Sequence, residues 1–318
     1  MVGADLTTHY SLLTFRYSPF AAYGSRVIHS HIGRVLFWMS GALLAFSTMA
    51  LSVRGLADVL NTFEILSIRS ASGVLFLLLM MAARPQLRRE LSLRVIRLHA
   101  LRNTLHFGSQ VAWAKSITLL PLATVFALEF TTPAWVVLLA VVFLRERVTA
   151  SRLATVLLGI AGVLVIVRPG LESLHPGALL ALASAVGFAI MMVTTKKLTG
   201  IESTFAILFW MNLMQLPMNL AGVDPSFVFR LEGRHLLPAA GMACSGLASH
   251  YCLTNAFRFG DAQVVVPLDF LRLPLIALAG WLLYGEALDP RVFAGAGLII
   301  AGIVWNLRAE ARAGARRR

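Results

Sequence analysis

Two carboxylates sit where an apolar chain should hold none. Glu129 in "LEFTTPAW" (128–135) and Asp269 in "LDFLRLPL" (268–275) each lie inside a long apolar run, each precedes a phenylalanine, and proline follows each within a few residues. Arg272 comes three residues after Asp269, on the same face of a helix, where the two can pair. A charge at the centre of a bilayer costs about 2.5–3.5 kcal/mol on insertion scales. The strong apolar residues of 262–284 return roughly −4 to −7 kcal/mol, so this segment is close to neutral alone and needs a partner or a wet cavity. Two readings stand: Asp269 and Arg272 form a buried salt bridge that serves packing and register, or their face lines a cavity and meets a solute. Glu129 is a single acid whose neighbours Thr131, Thr132 and Pro133 predict a polar, bent stretch with freed backbone carbonyls. Intramembrane acids couple protons or cations; the alternative for Glu129 is pairing with Arg69 or Arg102.

A second set lies upstream. Arg102, His106, Gln110 and Trp113 are spaced by four, four and three, which gathers them on one helical face. Under a shift of 140 residues Gln110 falls on His250, so both halves of the chain place a polar group there. The set reads either as a hydrogen-bonded scaffold or as a cavity wall. Trp113, Phe126, Tyr251 and Phe270 offer stacking surface or simple packing. Arg272 falls on Thr132, and under the match of "TFEIL" at 62 with "TFAIL" at 204 Arg69 falls on Met211, so the halves differ where polarity matters. The candidate cavity set is therefore Glu129, Asp269, Arg272, Arg69, Arg102, His106, Gln110, Trp113, Thr132, His250, Tyr251 and Phe270. Three arginines against two acids suit an anionic or zwitterionic group on a solute.

These residues need helices in lipid to position them. Of 318 residues 58% are hydrophobic and 14% charged, against about 25% charged in a soluble domain, and the mean hydropathy is +0.77. Apolar stretches of about 20 residues match the bilayer, at 35–53, 62–82, 97–118, 121–144, 150–167, 176–195, 203–222, 236–257, 262–284 and 290–307. Asp289-Pro290 reads as a helix start with a capping carboxylate. The formal charge of +13 does not point to nucleic acid, because the basic residues fall in gaps between spans. Of the 28 Lys and Arg, Arg54, Lys115, Arg168, Arg230, Arg234 and Arg291 fall on one side, Arg69, Arg102 and Arg272 within spans, and the other nineteen on the opposite side. The positive-inside rule then places both termini in the cytoplasm. Residues 1–33 lack the long apolar core of a signal peptide, so the first span is expected to act as an uncleaved anchor. That stretch and the basic tail 308–318 read as poorly ordered cytoplasmic ends able to touch anionic headgroups.

The second half repeats the first. "PLATVFALEF" meets "DAQVVVPLDF" and "IAGVLVI" meets "IAGIVWN" under the shift of 140, while "TFEIL" at 62 echoes "TFAIL" at 204. Five helices per half is odd, so the halves must be oppositely oriented, as in transporters with inverted repeats and a midplane site. The fold class expected is all-α integral membrane, ten transmembrane helices as two inverted five-helix repeats, at 34–170 and 171–307. The segments "ALEFTTPAWVVLLAVVFLRERVTASRLATVLLGIAGVLVIVRPG" and "PLDFLRLPLIALAGWLLYGEALD" resemble the two halves of an EamA-type member of the drug/metabolite transporter superfamily, over roughly 35–307. The resemblance implies ten helices, a central cavity between inverted repeats, and movement of small metabolites across the cytoplasmic (inner) membrane. Similar members have been associated with amino-acid export, others with uptake of S-adenosylmethionine or riboflavin. The "EFTTPAW" and "PLDFLRLP" forms lean toward the uptake branch.

Other classes fit less well. An enzyme would need a convergent nucleophile or metal set such as HExxH, and a pump a phosphate loop, and the chain carries neither. Cys244 and Cys252 lack metal-ligand spacing and read as small buried residues. No cofactor or metal is expected. A pore would want rings of one charge sign; a lipid or lipid-linked carrier flippase or a pore-type facilitator stands as the alternative to a metabolite carrier. Glu146 and Glu286 sit at span ends and are expected to set turns by capping or by pairing with Arg147 or Arg291. Gly159, Gly162, Gly295, Gly297 and Gly302 would allow close helix contact, as scaffold or for a homodimer. The partners expected are a small-molecule solute and the bilayer.

Overall fold

The computed structural model describes residues 32–120, 122–144, 148–167, 176–284 and 290–315. Among the described residues it is all helix. In chain order the helices are α1 (Ile32–Leu56), α2 (Thr62–Ala83), α3 (Ile96–Leu119), α4 (Leu122–Glu129), α5 (Thr132–Leu139), α6 (Ala150–Val167), α7 (Pro176–Thr199), α8 (Thr204–Leu220), α9 (Gly233–Phe259), α10 (Ala262–Val265), α11 (Arg272–Tyr284) and α12 (Pro290–Ala315). Short 3-10 turns occupy Pro85–Glu90 and Phe227–Arg230.

Local chemistry sets several boundaries. Asn61 caps α2: its side-chain oxygen accepts from the N–H groups of Phe63 (2.8 Å) and Glu64 (3.0 Å), and Glu64 Oε2 accepts from Asn61 N–H (2.8 Å), the reciprocal box that satisfies orphan donors. Ser203 caps α8 by accepting from Ala206 N–H at 3.1 Å. Asp289, expected to cap α12, lies outside the described residues, as do Glu146, Arg147, Glu286 and residues 1–31. The basic tail departs from expectation, because α12 continues through it to Ala315.

Two of the expected continuous spans are interrupted, and at matching places. Over 121–144 the helix breaks at Phe130-Thr131, then runs as α5 into a π-helical turn, Ala140–Leu144. Pro133 has no N–H for the Glu129 carbonyl four residues back; the Thr132 hydroxyl donates to that carbonyl instead, at 2.5 Å, and the Thr131 hydroxyl donates to the Leu128 carbonyl at 2.8 Å. Over 262–284 a 3-10 stretch, Val266–Leu271, separates α10 from α11, with Pro267 near its start. Glu129 and Asp269 thus each stand on broken helix, the arrangement that lets irregular backbone serve a site inside a membrane.

Burial is inverted relative to a soluble protein. Phe37, Leu44, Leu79, Phe143 and Leu282 are exposed, while α3 buries His99, Arg102, Asn103, His106, Ser109 and Gln110. Exposed large apolar side chains with polar ones inside are what a lipid surround requires. By length and composition α1, α2, α7 and Val266–Leu283 are long and apolar enough to cross a membrane. The buried polar residues of α3 lower its hydropathy.

The packing has an internal twofold character. α1 packs chiefly on α9, α3 on α7, α2 on α8 and α6 on α12. The sequence repeat equates α1 with α7, α2 with α8, α3 with α9 and α6 with α12. Exchanging the halves turns the α1–α9 contact into α7–α3 and leaves α2–α8 and α6–α12 as they are. In α6 and α12, Gly302 approaches Thr155 and Leu158, and the Thr155 hydroxyl donates to the Gly302 carbonyl at 2.9 Å. Gly297 meets nothing within 4 Å, so it makes no close helix contact here. Cys244 is exposed rather than buried, and Cys252 is half-buried.

Candidate functional site

Among the described residues the helices line a narrow central cavity, with walls drawn from α1, α2, α3, α7, α9 and both broken segments. Eight of the twelve expected residues line it: Arg69, His106, Gln110, Trp113, Glu129, His250, Asp269 and Arg272. The remaining wall is apolar, formed by Phe46, Met49, Leu66, Phe188, Met191 and Met192.

One end is a charged triad. Arg272 Nη2 donates to Glu129 Oε1 at 2.6 Å and to Asp269 Oδ2 at 2.7 Å, joining the two repeat-related acids through one nitrogen. Trp113 Nε1–H donates to Glu129 Oε2 at 2.7 Å, so both oxygens of Glu129 are engaged. The Arg272 guanidinium carbon lies 5.1–5.5 Å from the ring centres of Phe46, Phe126 and Phe130, close enough for each ring face to attract the cation. Asp269 Oδ1 and Arg272 Nε are buried without a partner. Two acids against one arginine leave this end with a formal charge of −1.

The other end is cationic. Arg69 Nη2 donates to Gln215 Oε1 at 2.7 Å. The Gln110 amide, turned so that its oxygen faces the donors, accepts from Arg69 Nη1 at 2.8 Å and from His106 Nε2 at 2.6 Å. Gln215 Nε2 donates to His106 Nδ1 at 3.0 Å. His106 is thereby assigned as the neutral tautomer with its proton on Nε2. The His250 ring stands against His106 with centres 4.8 Å apart. No carboxylate among the described residues lies within 4.0 Å of Arg69. Gly246 on α9 makes room for this arginine: a Cβ there would lie 2.1 Å from Arg69 Cγ.

Four expected residues stand elsewhere. Arg102 is fully buried behind the wall, donating to Thr195 Oγ1 (2.8 Å) and Asn103 Oδ1 (2.7 Å). Steps of four residues drift about 40° around a helix, which turns Arg102 toward α7 and α8 while Gln110 and Trp113 face the cavity. Thr132 gives its hydroxyl to backbone carbonyls, those of Glu129 and Ala185 (3.3 Å). Phe270 backs the triad, 5.5 Å from the Phe130 ring and against Gly159. Tyr251 is on the outer surface, 44% exposed and edge-on to Trp38; one residue past His250 rotates it about 100° away from the cavity. Glu129 pairs with Arg272, and neither Arg69 nor Arg102 is its partner.

The EamA-like transporter family matches residues 33–168 and again 175–308. The chain belongs to this family. It is a multi-pass membrane transporter of two EamA units, not an enzyme. It is 33% identical over 204 residues to a riboflavin transporter of Rhizobium johnstonii, covering 63% of this chain and 67% of that one. It is 27% identical over 219 residues to an S-adenosylmethionine uptake transporter of Rickettsia felis, covering 69% and 74%. A solved structure titled "Crystal structure of protein" superposes with a TM-score of 0.70 at 19% identity over 88% of this chain and 99% of that one; it shares the fold.

Several residues of this EamA-like transporter escaped sequence reasoning. Gln215 falls on Gly73 under the "TFEIL"/"TFAIL" match, and its signal was the buried polar stripe Asn212, Gln215 and Asn219, spaced by three and four on one face of apolar α8. Phe46, Phe188, Met191 and Met192 look like ordinary span residues. The two ends of the molecule are also tied. Buried Glu64, at the first turn of α2, pairs with Arg230 of the α8–α9 connection, which also donates to the Val59 carbonyl at 3.1 Å. At the start of α6, Arg152 pairs with Asp261, which precedes α10, at 3.2 Å.

Proposed function

We propose that this chain is a secondary transporter carrying a small polar or zwitterionic metabolite across the cytoplasmic membrane by alternating access. Ten spans in two inverted five-helix repeats enclose the central cavity, and both termini face the cytoplasm. The relatives named for riboflavin and for S-adenosylmethionine support a solute of metabolite size, of the vitamin or amino-acid-like classes. The observation that carries the reading is the triad: Arg272 holds the equivalent acids of both halves, Glu129 and Asp269, at the wall of one cavity. A charged set placed between repeats and away from lipid is what a solute pathway needs. Ion pairs between the halves at opposite ends, Glu64–Arg230 and Arg152–Asp261, suit two gates that open in turn.

Reconstitution into liposomes tests this. Counterflow of labelled S-adenosylmethionine or riboflavin that saturates with concentration is the expected result; flux that stays linear and carries current would replace the carrier with a pore.

A further inference from the structure

The polarity of the cavity is divided, and each end holds an unsatisfied atom. At the acid end Asp269 Oδ1 is buried without a donor, whereas both oxygens of Glu129 are taken. The two acids are equivalent by repeat but not by chemistry, because Arg272 has only Thr132 as its counterpart in the first half. At the other end Arg69 is held by amide oxygens, with Nε unpartnered and no carboxylate among the described residues to balance it. We infer that the cavity selects a solute carrying both charges, its anionic group on Arg69 and its cationic group on Asp269 Oδ1. This rests on the transport reading above and says what that site accepts.

The spacing agrees. Gln110 bonds Arg69 and Trp113 bonds Glu129, and they are three residues apart on α3, a rise of about 4.5 Å before the side chains spread. The Phe46 ring lies 5.3 Å from the Arg272 guanidinium carbon and 5.5 Å from the His250 ring, so Arg272 and His250, one at each end, are at most about 11 Å apart. Backbone bond lengths put the ammonium and carboxylate of an α-amino-acid group about 3 Å apart. A hydrogen bond of about 2.8 Å at each side brings the span that such a group bridges to roughly 8–9 Å, the scale of a cavity walled at both ends by side chains of one helix. The rest of the solute would lie on the apolar wall of Phe188, Met191 and Met192. Formal charge agrees too: a zwitterion meets a positive and a negative end without leaving a buried charge uncompensated, whereas a singly charged solute satisfies one end alone.

Thermal stability of the purified full-length protein in detergent tests this with named probes. They are histidine (a zwitterion), S-adenosylmethionine (an amino-acid zwitterion with an added sulfonium cation), citrate (anion), spermidine (cation), riboflavin (uncharged) and lysophosphatidylethanolamine (a zwitterionic lipid head). The zwitterionic solutes should raise the melting temperature of the wild type. Asp269→Asn should weaken their apparent affinity at least tenfold and move preference toward citrate, and Arg69→Gln should move it toward spermidine. Opposite shifts in two variants are not what misfolding produces. Stabilisation by riboflavin alone or lysophosphatidylethanolamine alone, no stabilisation by either soluble zwitterion, or variants that do not diverge would overturn the inference. Counterflow scores the transport reading separately: binding of zwitterions without counterflow removes transport and keeps the site, and riboflavin counterflow without zwitterion binding does the reverse.

Discussion

Replacing Arg272 separates the structural from the transport role of the triad. Arg272 is 3% exposed, and its guanidinium is bonded to two carboxylates and faced by three rings. Removing one partner of a buried ion pair costs about 3–5 kcal/mol, chiefly because the charge left behind is uncompensated. Each ring contact adds about 0.5–2 kcal/mol, although the terms share one cation and do not sum. Arg272→Met should therefore lower the apparent unfolding temperature strongly, as Glu129 and Asp269 are left without their counter-ion. The triple variant Arg272→Met, Glu129→Gln, Asp269→Asn removes all three charges, and well-packed neutral replacements of buried ionic groups are often neutral or stabilising. It should recover most of the lost stability and still not transport. The assay is a thermal-unfolding series in detergent paired with uptake or counterflow in liposomes. A triple variant as unstable as Arg272→Met would refute the electrostatic argument, and a stable triple variant with full transport would reduce the triad to packing.

Further outcomes follow from single contacts. Gly246→Ala places a Cβ 2.1 Å from Arg69 Cγ and should cost about 1–3 kcal/mol by overpacking while reducing transport, whereas Gly108→Ala on α3, with nothing within 4 Å, should leave both near wild type. Trp113→Phe keeps an aromatic ring, though a smaller one, and removes the donor to Glu129; loss of a hydrogen bond to a charged group is worth about 1.5–3 kcal/mol, seen with the packing loss as a drop in unfolding temperature. Glu64→Arg or Arg230→Glu alone should slow counterflow by breaking the tie across the α2 and α8–α9 end, and the combined exchange should restore it at least in part; a combined variant no better than either single one would deny that pair a gating role.

The convergence of Glu129, Asp269 and Arg272 was legible because three physical constraints pointed to one place. Buried charge in an apolar run needs a partner, the 140-residue repeat gives the two acids equivalent sites, and an i, i+3 spacing puts Arg272 beside Asp269. The break after Glu129 was visible in Thr131-Thr132-Pro133, while the matching 3-10 stretch at Val266–Leu271 was read as continuous helix because apolar content does not report backbone pitch. Tyr251 and Arg102 show the limit of spacing arguments: proximity to a cavity residue in sequence ignores rotation about the axis, and a four-residue stripe drifts. The stripe Asn212, Gln215 and Asn219 marked a polar face of α8, but the pairing of Gln215 with Arg69 and His106 crosses from α8 to α2 and α3 and exists only once the halves are packed.

The central claim is one cavity reached alternately from both faces of a sealed membrane. A single cysteine at the wall position Met192, in a chain with Cys244→Ser and Cys252→Ser, can be challenged with a membrane-impermeant maleimide on right-side-out and on inside-out vesicles. The account predicts labelling from each face while the vesicles stay impermeable to the reagent. No labelling from either face, or reagent passing straight through into the lumen, would contradict it.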